Sequence, residues 1–240
     1  MSRDKAAMRA RARELREAEA RRQRRREQLV RFGVVAGVVV VVIAVAVAVL
    51  VSRRSADDSA AVPTGVEAPD GGVVVGDVSA PVTVDLWIDF QCPFCRDFEL
   101  ESGPTLGELA ADGSVRLVYH PLSFLGEESE RAANAFGCSV DAGGPAEYQR
   151  VLFENQPPEQ TGGFTVDDLV ALGEQAGITG DEFETCVADG TYDGWVANVA
   201  ASQQEAGVTA TPTVLVDGQT LDAGQLTPDG VRAAVEQAAA

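Results

Sequence analysis

Cys92 and Cys95, with Pro93 and Phe94 between them, are the residues of this sequence best suited to chemistry. A Cys-x-x-Cys that follows an apolar strand and opens a helix puts one sulfur at the helix N-terminus and the other one turn inside, within bonding reach. Such a pair can cycle between dithiol and disulfide. The unpaired amides and positive dipole end of the helix favour a thiolate at the first position, so Cys92 is expected to be acidic and reactive and Cys95 shielded. Arg96 adds a favourable charge beside the pair. The second candidate is Thr211-Pro212, which begins 116 residues beyond Cys95. A cis bond costs little only before proline, and the tight bend it makes would bring the Thr211 backbone beside Cys92, ready to hydrogen-bond an extended substrate. Taken alone, the dipeptide is no more than an entry to a strand.

Rival readings of the cysteines are a zinc site or an inert structural disulfide. Zinc needs two further ligands at short spacing, and the remaining candidates, Cys138, Cys186 and the single histidine His120, are scattered, so no metal site is expected. Cys138 and Cys186 stand 48 positions apart among apolar neighbours in two helical patterns. They read as a structural disulfide, with two buried free thiols or a second redox pair as alternatives. His120 reads as a strand-end residue rather than a general base. Asp85 and Asp89 are expected to point to the strand face away from the sulfurs and are left out of the site. Trp87 and Phe90 read as core, and Phe94 as exposed.

Charge divides the 240-residue chain sharply. Residues 1–31 carry 12 Lys+Arg against 5 acids, whereas residues 55–240 carry five Arg, no Lys and 32 acids, a net charge of −27. Between them, Phe32 to Val51 are 20 consecutive uncharged residues, which as a helix would be about 30 Å long and would cross a bilayer. The basic flank keeps the N-terminus in the cytoplasm by the positive-inside rule and sends the rest of the chain outside. A cleaved signal peptide would have a shorter apolar region, so the run is expected to stay as a signal anchor. The arginine-rich start is read as a topology signal rather than a nucleic-acid site. All four cysteines then fall in an oxidising compartment.

Four segments are expected: a cytoplasmic basic segment 1–31, a transmembrane helix 32–51, a flexible Pro/Gly-broken linker 52–72 and a single domain 73–240. In the domain, strands are expected at 73–75 and 82–90. A helix should run from Pro93 to about Gly113, kinked at Gly103-Pro104, and a strand should run over 115–120, closed by Pro121. A helical block follows at about 127–206, with capping-box starts at Thr165/Asp168 and Thr179/Glu182. Two short strands joined by an Asp217-Gly218 turn and a last helix capped by Thr227-Pro228 complete a mixed α/β sheet with helices on its faces.

This order resembles the thioredoxin fold with the inserted helical domain of the DsbA family. Cys92-Pro93-Phe94-Cys95 is similar to that family's Cys-Pro-x-Cys, and Thr211-Pro212 to its X-cis-Pro, with Gly207-Val208 before it and Asp217-Gly218 after it. The resemblance implies a thiol–disulfide oxidoreductase in which Cys92 enters the mixed disulfide, Cys95 resolves it, and Pro93 and Phe94 tune the potential. It implies no cofactor. Its partners would be reduced or unfolded secreted proteins and a membrane reoxidant of the DsbB or VKOR type, with the protein itself a membrane-anchored monomer. Two departures from the family, Phe94 in place of His and Leu86 in place of an acid six positions before Cys92, point to a milder oxidant. The first cysteine is expected between thioredoxin, about 7, and DsbA, about 3.5. Alternatives are a reductase or isomerase of the same fold, or a tethered binding or chaperone domain whose disulfide is only structural.

Overall fold

The β-branched run from Val82 that leads into the reactive cysteines forms the middle strand of a five-stranded sheet, and its burial on both faces explains its near-continuous apolarity. The computed structural model describes residues 60–66 and 71–240. The basic segment 1–31, the apolar run 32–51 and most of the linker 52–72 lie outside the described residues. Among the described residues no helix is long and apolar enough to cross a membrane.

The strands are β1 (Val73–Gly76), β2 (Val82–Asp89), β3 (Val115–Leu122), β4 (Thr213–Val216) and β5 (Gln219–Thr220), in the order β1-β3-β2-β4-β5. Only β2 and β3 are parallel; β1 lies antiparallel to β3, and β4 to β2 and β5. The helices are α1 (Pro93–Ala111), α2 (Glu127–Asp141), α3 (Pro145–Glu154), α4 (Val166–Gln175), α5 (Asp181–Asp189), α6 (Asp193–Ser202) and α7 (Pro228–Ala238). Helix α1 packs on β1 and β3, α7 on β4 and α1, and α2 and α6 on β3. The fold is a mixed α/β, thioredoxin-like one, with α2 to α6 in a single excursion between β3 and β4.

Local chemistry accounts for most element ends. The β4–β5 turn uses Asp217 at φ 46° and Gly218 at φ 78°, the left-handed pair that a two-residue hairpin requires. Thr165 and Asp168 form the reciprocal capping box that starts α4, and the Thr227 hydroxyl accepts from the Gly230 amide at α7. The second box does not form: α5 begins at Asp181, with Gly180 at φ 122° as its N-cap and no side-chain cap. Helix α1 runs without a break through Pro104. Strand β3 continues past the expected stop to Leu122, because β1 reaches only as far as Tyr119 and Pro121 therefore needs no amide for a second neighbour.

In the helical excursion Phe136, Tyr148, Phe153, Leu169 and Trp195 are fully buried, and Phe136 and Phe153 pack against Phe90 just past β2, so its core is continuous with that of the sheet. At Gly137 α2 meets α6 so closely that a Cβ would lie 2.9 Å from the Tyr192 ring, so the contact depends on glycine. A Cys138–Cys186 disulfide joins α2 to α5. The chain before β1 is seated on the same helices: Pro63 is buried, the Thr64 amide donates to Asp141 Oδ1 at 2.8 Å, and the Trp195 indole donates to the Gly71 carbonyl at 2.9 Å. In its described parts, then, the expected flexible linker is packed against the domain.

Closing a 48-residue loop with a disulfide stabilises by roughly 4 kcal/mol on the chain-entropy account. Replacing both Cys138 and Cys186 by Ala should lower the unfolding free energy by a few kcal/mol in urea titration; a loss under about 1 kcal/mol would mean that packing alone holds the helices.

Candidate active site

The site is built where β2 ends. The chain reverses through Phe90 and Gln91, and the Cys92 amide donates to the Asp89 carbonyl at 3.0 Å, a turn that delivers Cys92 to the N-cap of α1. Pro93 takes the first helical position, where its missing N–H costs nothing. Cys95 lies one turn inside with no exposed surface, and both thiols are free. Thr211 and Pro212, joined by a cis peptide bond, face them across the sheet end: the Cys92 thiol donates to the Thr211 carbonyl at 3.6 Å. The cysteine pair and the proline loop, far apart in sequence, therefore come together. Phe94 is 72% exposed, and Phe124, on the loop after β3, is 54% exposed, so the surface around the sulfurs is partly apolar.

The two sulfurs are held in opposite protonation states. Cys92 is pulled down to about 6, chiefly by its hydrogen bond with Cys95; burial opposes this, and bonds from the Cys95 and Phe94 amides reinforce it. Cys95 is pushed far up by burial, then by its hydrogen bond to Cys92 and by the Cys92 charge, although the Asp89 amide donates to its sulfur at 3.5 Å. The value for Cys92 falls between those of thioredoxin and DsbA. Arg96 does not contribute as expected. Its guanidinium is engaged by Asp97 at 2.9 Å and lies along the surface.

Asp89 is a correction to the sequence reading. It is fully buried at the active turn, where its carboxyl accepts a bond from the turn itself. Its carboxyl accepts from the Gln91 amide at 2.8 Å, the Leu125 amide at 3.3 Å and the Ser129 hydroxyl at 2.6 Å. Burial nonetheless raises it to about 6, those three bonds resisting and the Cys92 charge adding to the rise. Leu86, where the family carries an acid, is a fully buried apolar residue of β2.

A second missed residue is Gln156, just after α3. Its amide donates to the Phe90 carbonyl at 2.8 Å and to the Cys92 carbonyl at 3.0 Å, so the helical excursion clamps the active turn directly. A lone glutamine before Pro157-Pro158 gives no sequence signal of this. The other candidates are structural: His120 meets Asp85 at 3.0 Å and stacks on Trp87 with ring centres 4.1 Å apart, and Cys138 and Cys186 are bonded away from the turn.

A Thioredoxin family model matches residues 68–237. Among solved structures, the reduced form of the disulfide bond oxidoreductase DsbG from Mycobacterium tuberculosis superposes with a TM-score of 0.63 and 28% identity, covering 73% of this chain and 90% of that one. The Na(+)/H(+) antiporter NhaA 3 of Salinispora tropica is 30% identical over 154 residues, which are 63% of this chain and 22% of the antiporter. The thiol:disulfide interchange protein DsbA of Haemophilus influenzae is 25% identical over 134 residues, 55% of this chain and 64% of that protein. The chain thus spans about a fifth of the first of these two curated relatives and under two thirds of the second. The likeness to DsbG and DsbA supports a DsbA-like thiol–disulfide oxidoreductase.

Because the folded value of Cys92 lies below its unfolded one, it stabilises the reduced protein above the unfolded value, and that contribution is lost as pH falls through about 6. Thiolate absorbance of the reduced protein should rise with a midpoint near 6. Asp89→Asn removes a neighbouring negative charge and should move that midpoint down. A wild-type midpoint near the ordinary thiol value, about 8.5, would refute the asymmetry of the pair, and an unmoved midpoint in Asp89→Asn would remove Asp89 from it.

Proposed function

The chain belongs to this Thioredoxin family, and from that premise we propose that it is an extracytoplasmic thiol–disulfide oxidoreductase that donates the Cys92–Cys95 disulfide to reduced secreted proteins. A substrate thiolate attacks Cys92 Sγ, the Cys92–Cys95 bond breaks, and Cys95 departs and takes up a proton. The second substrate thiolate attacks the substrate sulfur of the mixed disulfide, and Cys92 leaves as a thiolate. The substrate loses two electrons and gains a disulfide, and the pair ends as a dithiol.

The observation that carries the direction is the depressed Cys92 thiol beside a Cys95 that holds its proton. A stabilised thiolate favours the reduced pair, which makes its disulfide the stronger oxidant, and it also makes Cys92 the better leaving group in the second step. The exposed ring of Phe94 and the Thr211 carbonyl offer an extended chain an apolar contact and a backbone acceptor. The 20-residue apolar run with its basic flank supports a membrane anchor with the domain outside, and the acidic charge of residues 55–240 suits a soluble face there. A membrane reoxidant of the DsbB or VKOR type returns the pair to the disulfide, and the protein works as a monomer.

Oxidation of a reduced dithiol peptide should be abolished by Cys92→Ser, while Cys95→Ser should accumulate substrates disulfide-linked to Cys92. Equilibration in glutathione buffers should give a potential above that of thioredoxin, about −270 mV, and below that of DsbA, about −120 mV. Full activity in Cys92→Ser would end the enzymatic reading, and a potential at or below the thioredoxin value would turn it into a reductase.

A further inference from the structure

A cavity of about 530 Å³ lies between β1, β3, α1 and α3, and none of the residues of the redox site lines it. Its walls are apolar, formed by Val75, Leu117, Pro104, Ala110 and Phe153. Leu100, 47% exposed, belongs to the lining, so the cavity opens to solvent. The volume lies within the range usual for small-molecule sites, about 300–1,000 Å³.

A buried acid also stands in this wall. Glu99 of α1 lines the cavity, is only 9% exposed, and has an Oε1 with no hydrogen-bond partner. Its other interactions are few. The Gln149 side chain of α3 bonds to it and to Tyr119 of β3, and a Cβ on Gly103 would come within 2.9 Å of its Oε2. Leaving a buried carboxyl oxygen unpaired costs about 1–3 kcal/mol, a cost that a donor brought in by a ligand would remove.

We infer that this cavity binds an apolar molecule carrying a single primary ammonium group, whose N–H donors meet the Glu99 carboxylate while its hydrocarbon body covers the apolar wall. Charge complementarity selects the cation. Residues 55–240 carry a net charge of −27, a field that draws cations and repels anions. Arg150, the one cation of the lining among the described residues, is paired with Glu147 and Glu154. A neutral donor would satisfy Oε1 but would gain nothing from the charge.

Ionisation of Glu99 makes the binding pH-dependent. Burial raises Glu99 to about 8, opposed only by Gln149. The titratable or charged groups that face it are Tyr119 from β3, and Arg150 and Glu154 from α3; β1 contributes none, and α7 presents Arg232 to Glu108 of α1. Tyr119 is itself raised well above the ordinary tyrosine value by burial and by Glu99, so it stays neutral here. An ammonium group favours ionised Glu99, so binding below pH 8 releases a proton and affinity rises with pH until the amine itself deprotonates, near 10.

The test is calorimetric titration of the intact chain with phenethylamine, phenethyl alcohol and hydrocinnamate, which share one aryl-alkyl body and differ in charge. At pH 8 the amine should bind at least tenfold more tightly than the alcohol, and the carboxylate should not bind. Amine affinity should rise at least tenfold from pH 6 to pH 8, with buffer-dependent heats reporting proton release, while alcohol affinity stays flat. Glu99→Gln should reduce the amine to the affinity of the alcohol. Gly107 lines the cavity and a Cβ there meets nothing within 4 Å, so Gly107→Phe fills the space without a backbone clash and should abolish binding of both. Equal binding of amine and alcohol, a flat pH profile for the amine, an amine affinity untouched by Glu99→Gln, or no binding of the amine at millimolar concentration would each overturn the inference.

Discussion

At the start of α1 the Cys92 sulfur sits where helix amides point outward, while Cys95, three residues on, lies in the core with no exposed surface. Neither environment alone makes a redox centre. Two sulfurs in the same surroundings would share a proton evenly and discharge a substrate slowly; here each stabilises the state that the other needs, because the Cys95 thiol bonds to the Cys92 thiolate. Much of the surrounding structure serves to keep that difference. Strand β2, buried on both faces, fixes the height at which the turn begins, and the Thr211 loop closes the remaining side.

The carboxyl of Asp89 shows how finely this balance is set. A buried acid beside a developing thiolate works against it, yet three hydrogen bonds hold this one in place. The same three bonds tie together the active turn, the loop after β3 and the first turn of α2. The carboxyl is thus a structural rivet whose own ionisation is opposed by burial and by the Cys92 thiolate. A milder pair, expected from Phe94 and Leu86, fits a Cys92 near 6, and what opposes the Cys92 thiolate is its burial.

What was legible in the sequence was local. Asp217-Gly218, Thr165 with Asp168, Thr227-Pro228 and the apolar run of β2 each act through neighbours within a few residues, and so each can be read from composition and spacing. Thr179 with Glu182 shows the limit of that reading, since Gly180 takes the cap position in an extended geometry with φ 122° that only glycine adopts freely. Asp89, Gln156 and Glu99 were not legible for another reason. Their roles depend on groups 36 to 66 residues away, or on burial that a polar side chain in a charged stretch does not announce. The pairing of Cys92–Cys95 with Thr211-Pro212 is the long-range feature that could be anticipated, and only because the family resemblance supplied it.

Gln156 gives the helical excursion a standing that its connectivity conceals. As topology the segment is detachable: it leaves after β3, returns at β4, and could be imagined as cargo on an older, smaller fold. As energetics it is not, because the Phe90 carbonyl has its partner there, and trimming the excursion would leave that buried group unpaired beneath the reactive turn. Scaffold and insertion are therefore energetically a single unit at this turn. A lineage that shortens the helices must also redesign the turn, and a homologue that keeps the turn intact should be found to have kept a donor at this point.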